Sequence, residues 1–130
     1  IKVISFTQQD SEVAEIKEIA DHFGDKITFV WSAHPFTTPS RAGIITAPNV
    51  SKDHAVKEAA ESLGLSFEEI LGIGDTLGDW NFMELCKFVA TLENGEEKLK
   101  ELVKTKGKGN YFISPHIDDN GILEILNYFQ

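Results

Sequence analysis

The chain has 130 residues, 42% of them hydrophobic, and a formal net charge of −9. This composition is that of an ordinary globular domain and excludes a disordered chain. The acidic balance argues against a nucleic-acid-binding surface and against docking on anionic lipid, since both need clustered Lys and Arg side chains. One cysteine excludes an internal disulfide, and neither a membrane-spanning run nor a signal-peptide pattern is visible, so we expect a cytoplasmic protein.

The first third of the sequence predicts a small α+β unit. Asp10 or Ser11 can cap a helix, and Pro35 and Pro39 interrupt a later stretch that we predict to be loop. The chain opens directly in a strand-like run at Ile1, so we expect further residues upstream in the native protein. In chain order, the predicted elements are a strand over residues 1–7, a helix ending at Gly24, and strands over residues 27–31 and 42–47.

From Asn49 onward, helix and strand alternate, which predicts an α/β fold with a parallel sheet. The shift at Pro48 and Asn49 divides the chain into residues 1–48 and 49–130. Residues 70–74 form a continuous apolar run, typical of an interior strand buried on both faces. The predicted elements are a helix from Ser51 to Gly64, a capping box at Ser66 and Glu69, strands over 70–74, 88–92 and 111–113, and helices over 79–85, 95–104 and 122–129.

The loop after the apolar strand carries two carboxylates, Asp75 and Asp79. Ligands of open parallel sheets bind beyond the carboxyl ends of the strands, and Mg²⁺ prefers carboxylate and water oxygens. The loop therefore predicts a cation site. An alternative stays open, in which Asp79 only caps the following helix and Asp75 is a turn residue.

Lys52 lies in the first turn of the helix that Ser51 caps. A cation there is repelled by the positive end of the helix dipole, so the position is slightly unfavourable unless an anion lies nearby. Lys52 could therefore clamp a phosphate or carboxylate group. A solvated surface lysine is the alternative interpretation.

Taken together, these motifs resemble the second half of the core of the haloacid dehalogenase superfamily, in particular its Cof-type branch, subfamily IIB. The resemblance covers residues 49–130, and residues 1–48 are similar, more weakly, to the end of the family's α/β cap. The matching runs are Ser51-Lys52, Leu63-Gly64-Leu65, Glu68-Glu69, Gly74 to Asp79 with Met83, Val89 to Gly95, and Asn120 to Leu123.

The resemblance implies a Rossmann-like core half that belongs to a Mg²⁺-dependent phosphatase of small phosphorylated metabolites. In that family the reaction passes through an aspartyl-phosphate. Lys52 would neutralise the nucleophile and the phosphoryl group, and Asn94 would also contact substrate. Asp75 would bind Mg²⁺, and Asp79 would support the metal by hydrogen bonds or through a metal-bound water.

Two departures from the family pattern affect this expectation. Gly78 occupies the position where the family usually has Asn, which removes an amide near the phosphate. No strand in the sequence ends in Asp-x-Asp-Gly, the motif that carries the nucleophile. We therefore expect a fragment that is inactive alone and lacks the N-terminal half of the same protein. Its exposed sheet edge predicts that the isolated chain is unstable, self-associates, or has been cut from a larger folded protein.

Two rival interpretations remain. A non-enzymatic binding or scaffold module could have kept this half-fold without the chemistry. A complete receiver-like or flavodoxin-like domain would instead form one five-stranded sheet within these 130 residues, with no separate α+β piece.

Overall fold

The computed structural model describes residues 2–7, 10–33 and 41–130. Pro35 and Pro39, which we predicted to lie in a loop, fall outside the described residues. By its contacts the chain divides into two compact units, Ile1–Ser51 and Lys52–Gln130. This division lies close to the predicted boundary, and the assignment of the units to cap and core stays a prediction.

The first unit is an antiparallel three-stranded sheet with one long helix. Its elements are β1 (Val3–Thr7), α1 (Asp10–Phe23), β2 (Thr28–Ala33) and β3 (Arg41–Thr46). The strand order is β1-β3-β2, so Ile44 of the central strand lies beside Ile4 and Val30. Gly24 follows α1 with a φ of +52°, a left-handed conformation that glycine adopts without strain.

The second unit is a parallel three-stranded sheet with helical crossovers, which confirms the predicted α/β class. Strand order follows chain order, β4-β5-β6. The elements are α2 (Lys52–Leu63), β4 (Leu71–Ile73), α3 (Trp80–Met83), β5 (Phe88–Leu92), α4 (Glu97–Lys104), β6 (Tyr111–Ser114) and α5 (Gly121–Phe129). Short 3₁₀ turns at 67–69, 77–79 and 117–119 precede β4, α3 and α5.

The core of the second unit lies where α3 and α4 pack on the sheet. Burial raises the pKa of the Cys86 thiol, with Lys106 acting weakly in the opposite direction, so this thiol stays protonated at neutral pH, as expected for an inert core cysteine. The fully buried cluster consists of Met83, Cys86, Val89, Leu99 and Val103.

Some of the residues predicted to face inward are exposed or only half-buried. In the described chain β4 is an edge strand in which Gly72 is buried and Leu71 and Ile73 are half-buried, so its interior position depends on a further strand at its free edge and stays a prediction. Helical spacing predicted that Ile19 and Phe23 of α1 and Leu63 of α2 would face inward. This was wrong, because Leu63 is 71% exposed and the other two are about half exposed. An apolar residue at helical spacing predicts a face, and whether that face is covered depends on what packs there.

The five-stranded alternative was also wrong, because the described residues form two separate three-stranded sheets. None of the described helices has the length and apolar character needed to cross a bilayer.

Candidate functional site

The loop at the carboxyl end of β4 folds around one buried side chain, that of Asp79. Thr76 caps the 3₁₀ turn Leu77–Asp79 in a capping box. The Thr76 hydroxyl accepts the Asp79 backbone N–H, and the Asp79 carboxylate accepts the Thr76 backbone N–H. Gly74 makes room for this arrangement: a Cβ there would collide with the Asp79 side chain and lie 2.7 Å from Met83 Sδ. The glycine before Asp75 is therefore a steric requirement of the loop.

Both oxygens of the Asp79 carboxylate are hydrogen-bonded. Oδ2 accepts the backbone N–H groups of Asp75 and Thr76, each at 3.1 Å, and the Thr76 hydroxyl at 3.0 Å. Oδ1 accepts from Lys52 Nζ in an ion pair. Asp79 is only 4% exposed, so this network is what makes its buried charge tolerable.

The electrostatic balance at Asp79 favours the ionised form. Burial alone would raise the pKa of the carboxyl group, but hydrogen bonds from Lys52, Thr76 and Asp75 outweigh it, and the net pKa lies below the ordinary value of 3.8. Asp79 is therefore a fixed negative charge at neutral pH.

Lys52 is the first residue of α2, and its side chain is 68% exposed while it pairs with Asp79. An ammonium group has three N–H donors, so this pairing leaves capacity for an incoming anion. The Lys52 side chain borders an open cleft of about 470 Å³ together with Asp75 and Asp79. The other residues lining the cleft are Ala55, Val56, Ile73, Gly74 and Phe82.

Asp75 differs from Asp79 because its carboxylate is exposed and accepts no hydrogen bond from the described residues. Its backbone is nevertheless held on both sides: its N–H donates to Asp79, and its carbonyl accepts the Glu96 N–H at 2.9 Å. A carboxylate free of protein donors on a fixed backbone suits a hard cation that keeps several waters.

The predicted metal site at this loop stays a prediction. The described residues contain no group of three or more His, Cys, Asp or Glu side chains that could hold an ion. Asp75 fits a direct ligand, whereas Asp79 would first have to give up existing hydrogen bonds. The hydrogen bonds that Asp79 already accepts are compatible with the supporting role expected for it, and both roles stay predictions.

Asn94 lies elsewhere on the same end of the sheet. It follows β5, and its Oδ1 accepts the Ile117 N–H at 3.1 Å, which links the loops after β5 and β6. Asn94 is not among the residues lining the cleft of Lys52 and Asp75. Its predicted contact with substrate stays a prediction.

Sequence reasoning missed Glu96. Its Oε2 accepts the Leu77 N–H at 3.1 Å, in addition to the bond that its own N–H makes to Asp75. The only local signal was a glutamate just before a helix, which is common at helix starts, and the contact joins loops 19 residues apart in the sequence.

A profile of the haloacid dehalogenase-like hydrolase family matches residues 1–126, which include most of both units. The match therefore covers nearly the whole chain, including the loop of Asp75 and the helix of Lys52.

Individual proteins agree with that match. A candidate phosphatase of Streptococcus pyogenes serotype M6 is 34% identical over 110 residues, covering 85% of this chain and 39% of that protein. The phosphoglycolate phosphatase of Archaeoglobus fulgidus is 32% identical over 80 residues, covering 62% of this chain and 33% of that protein. A solved haloacid dehalogenase-like hydrolase from B. subtilis shares the fold, with a TM-score of 0.76 at 17% identity over 99% of this chain and 40% of its own. The chain thus spans 33% to 40% of the length of these proteins.

Proposed function

The chain belongs to the haloacid dehalogenase-like hydrolases, and we propose that it supplies the lysine and metal-binding part of a phosphatase acting on small phosphorylated metabolites. The observation that carries the proposal is the cleft at the carboxyl end of β4, where Lys52, Asp75 and Asp79 lie together. Two similar proteins bear phosphatase names.

In the proposed reaction, an aspartate from outside these 130 residues attacks phosphorus. The ester P–O bond breaks, the alcohol leaves, and water then hydrolyses the aspartyl-phosphate to inorganic phosphate. Lys52 offsets the negative charge of the nucleophile and of the transferring group. Asp79 holds the Lys52 ammonium in place and fixes the Asp75 loop. A Mg²⁺ ion bound through Asp75 would neutralise further phosphoryl charge.

The free edge of β4 supports a docking position for the missing segment. Backbone hydrogen bonds join Ile70 and Gly74 to β5, so the peptide groups of Leu71 and Ile73 face the opposite edge, which has no partner strand in the described chain. We propose that a parallel strand docks there and ends beside Asp75. Its terminal aspartate would then face the Lys52 cleft.

The first test is hydrolysis of p-nitrophenyl phosphate, phosphoglycolate and sugar phosphates by the complete protein, with Mg²⁺ or with EDTA. Lys52→Ala should lower kcat/KM by about a few hundredfold, because it removes a preorganised cation from the transition state. Asp75→Asn should weaken activation by Mg²⁺, and Asp79→Asn should have a milder effect.

Lys57→Ala is a matched control, since Lys57 lies on the same helix and pairs with Asp53 instead. It should keep wild-type turnover. If Lys52→Ala and Asp75→Asn also keep wild-type turnover, the phosphatase roles of these residues are wrong. A complete protein with no activity on any phosphate ester would favour the non-enzymatic interpretation.

A further inference from the structure

Three consecutive backbone N–H groups in the loop after β4 are bound by carboxylates. The N–H groups of Asp75 and Thr76 donate to Asp79, and the N–H of Leu77 donates to Glu96 Oε2 at 3.1 Å. Because these three N–H groups are already hydrogen-bonded to carboxylates, they are not available to bind a phosphate group. What it presents to the cleft is the Asp75 side chain.

Glu96 contacts this loop twice, on either side of Thr76. Its side chain accepts from Leu77, and its backbone N–H donates to the Asp75 carbonyl oxygen at 2.9 Å. Asp79 already accepts the N–H of Asp75. Both peptide groups that flank the Asp75 Cα are thus hydrogen-bonded, which fixes the direction in which the Cα–Cβ bond leaves the backbone.

The close approach of the Glu96 loop to the Asp75 loop depends on Gly95, the residue before Glu96. A Cβ on Gly95 would lie 2.6 Å from Thr91 Oγ1 and 3.3 Å from the Asp75 carbonyl oxygen. A side chain at this position would push the β5 loop away from the Asp75 loop. Gly95 and Glu96 therefore act together to hold the two loops in contact.

We propose that Glu96 is a positioning residue that fixes the Asp75 carboxylate for metal binding, an inference that rests on the proposed function. Glu96 does not touch the metal or the substrate. It acts through the hydrogen bond to Leu77 and so needs only an acceptor oxygen at that position. A neutral glutamine should serve as well as the glutamate.

Amide hydrogen exchange by NMR tests the hydrogen bond without any enzyme activity. In Glu96→Ala the Leu77 N–H should exchange at least about tenfold faster, because it loses its acceptor. Glu96→Gln should restore slow exchange. Glu97→Ala is the matched control, since Glu97 is the adjacent exposed glutamate and pairs with Lys100, and it should leave Leu77 unchanged.

Activation by Mg²⁺ in the complete protein tests the consequence. Glu96→Ala should raise the Mg²⁺ concentration for half-maximal activity about tenfold or more, the usual cost of losing a residue that orients a metal ligand. Glu96→Gln and Glu97→Ala should match the wild type. Unchanged Mg²⁺ activation in Glu96→Ala, or equal damage in Glu96→Gln, overturns the proposal. A wild-type protein without phosphatase activity overturns the proposed function instead, and the exchange of Leu77 then still decides whether Glu96 holds the loop.

Discussion

Gly74 is the residue on which the shape of the Asp75 loop depends most directly. A methyl group at this position would meet the Asp79 side chain and Met83 Sδ, the latter at 2.7 Å. Since Met83 is fully buried and Asp79 is held by four hydrogen bonds, neither can move aside easily.

Gly74→Ala should therefore lower the free energy of unfolding by about 1–3 kcal/mol, the usual cost of overpacking. Gly78→Ala is the control, because a Cβ there has only Thr76 Oγ1 within contact range, at 3.8 Å. It should be neutral or slightly stabilising. Urea denaturation of both variants measures the difference, and equal stabilities would contradict the steric argument.

The lowered pKa of Asp79 predicts how the stability of the folded chain depends on pH. Its pKa in the folded chain lies below the ordinary value of 3.8, so the unfolded chain binds a proton more readily in acid. The stabilisation that it contributes is complete above that ordinary value and is lost as the pH falls toward the folded pKa.

The stability difference between wild type and Asp79→Asn should accordingly shrink as the pH drops from 7 to 2.5. Urea midpoints measured across this range give the result. Asp119→Asn, at an exposed position in the turn before α5, should follow the wild-type profile. A difference that stays constant down to pH 2.5 would mean that the network around Asp79 does not depend on its charge.

The residues that come together at the cleft could be anticipated because their chemistry follows from local order. Asp75 directly follows an apolar run, and Lys52 opens the helix whose chain returns into that strand. The link from Glu96 could not be anticipated. It depends on how closely two loops approach each other, which the loop lengths alone do not determine.

For the helices and strands, the type of each element was predicted better than which of its faces is buried. β5 has the predicted bounds, Phe88–Leu92, and the capping box at Ser66 and Glu69 forms as expected. Both follow from local chemistry. The predicted burial of Leu63 on α2 was wrong, because burial depends on neighbours that periodicity does not reveal.

A pair of leucines makes this distinction measurable. Leu99→Ala should cost about 2–5 kcal/mol of stability, since Leu99 is fully buried between α4 and the sheet. Leu63→Ala should change stability by no more than about 0.5 kcal/mol, because that side chain is 71% exposed. Urea denaturation of this chain provides both values. A large loss in Leu63→Ala would show that α2 packs against something in solution that its exposure does not reveal.

For the whole molecule, the edge of β4 that has no partner strand among the described residues is a ready pairing site for another strand. The chain matches less than half the length of its relatives. These observations support a complementary segment, which the proposed function also requires.

The strand order of the second unit, β4-β5-β6, has a consequence for folding. Each strand pairs with the next one along the chain, and only the residues from Gly74 to Lys87 separate β4 from β5. Contacts between segments that are close in sequence cost less loop-closure entropy than contacts between distant segments. During synthesis, the β4–β5 pair and the bond from Glu96 to the Asp75 loop need nothing beyond α4, whereas the Asn94–Ile117 link must wait for the chain after β6. The contacts that hold the Asp75 loop can therefore form before the residues beyond α4 have been translated.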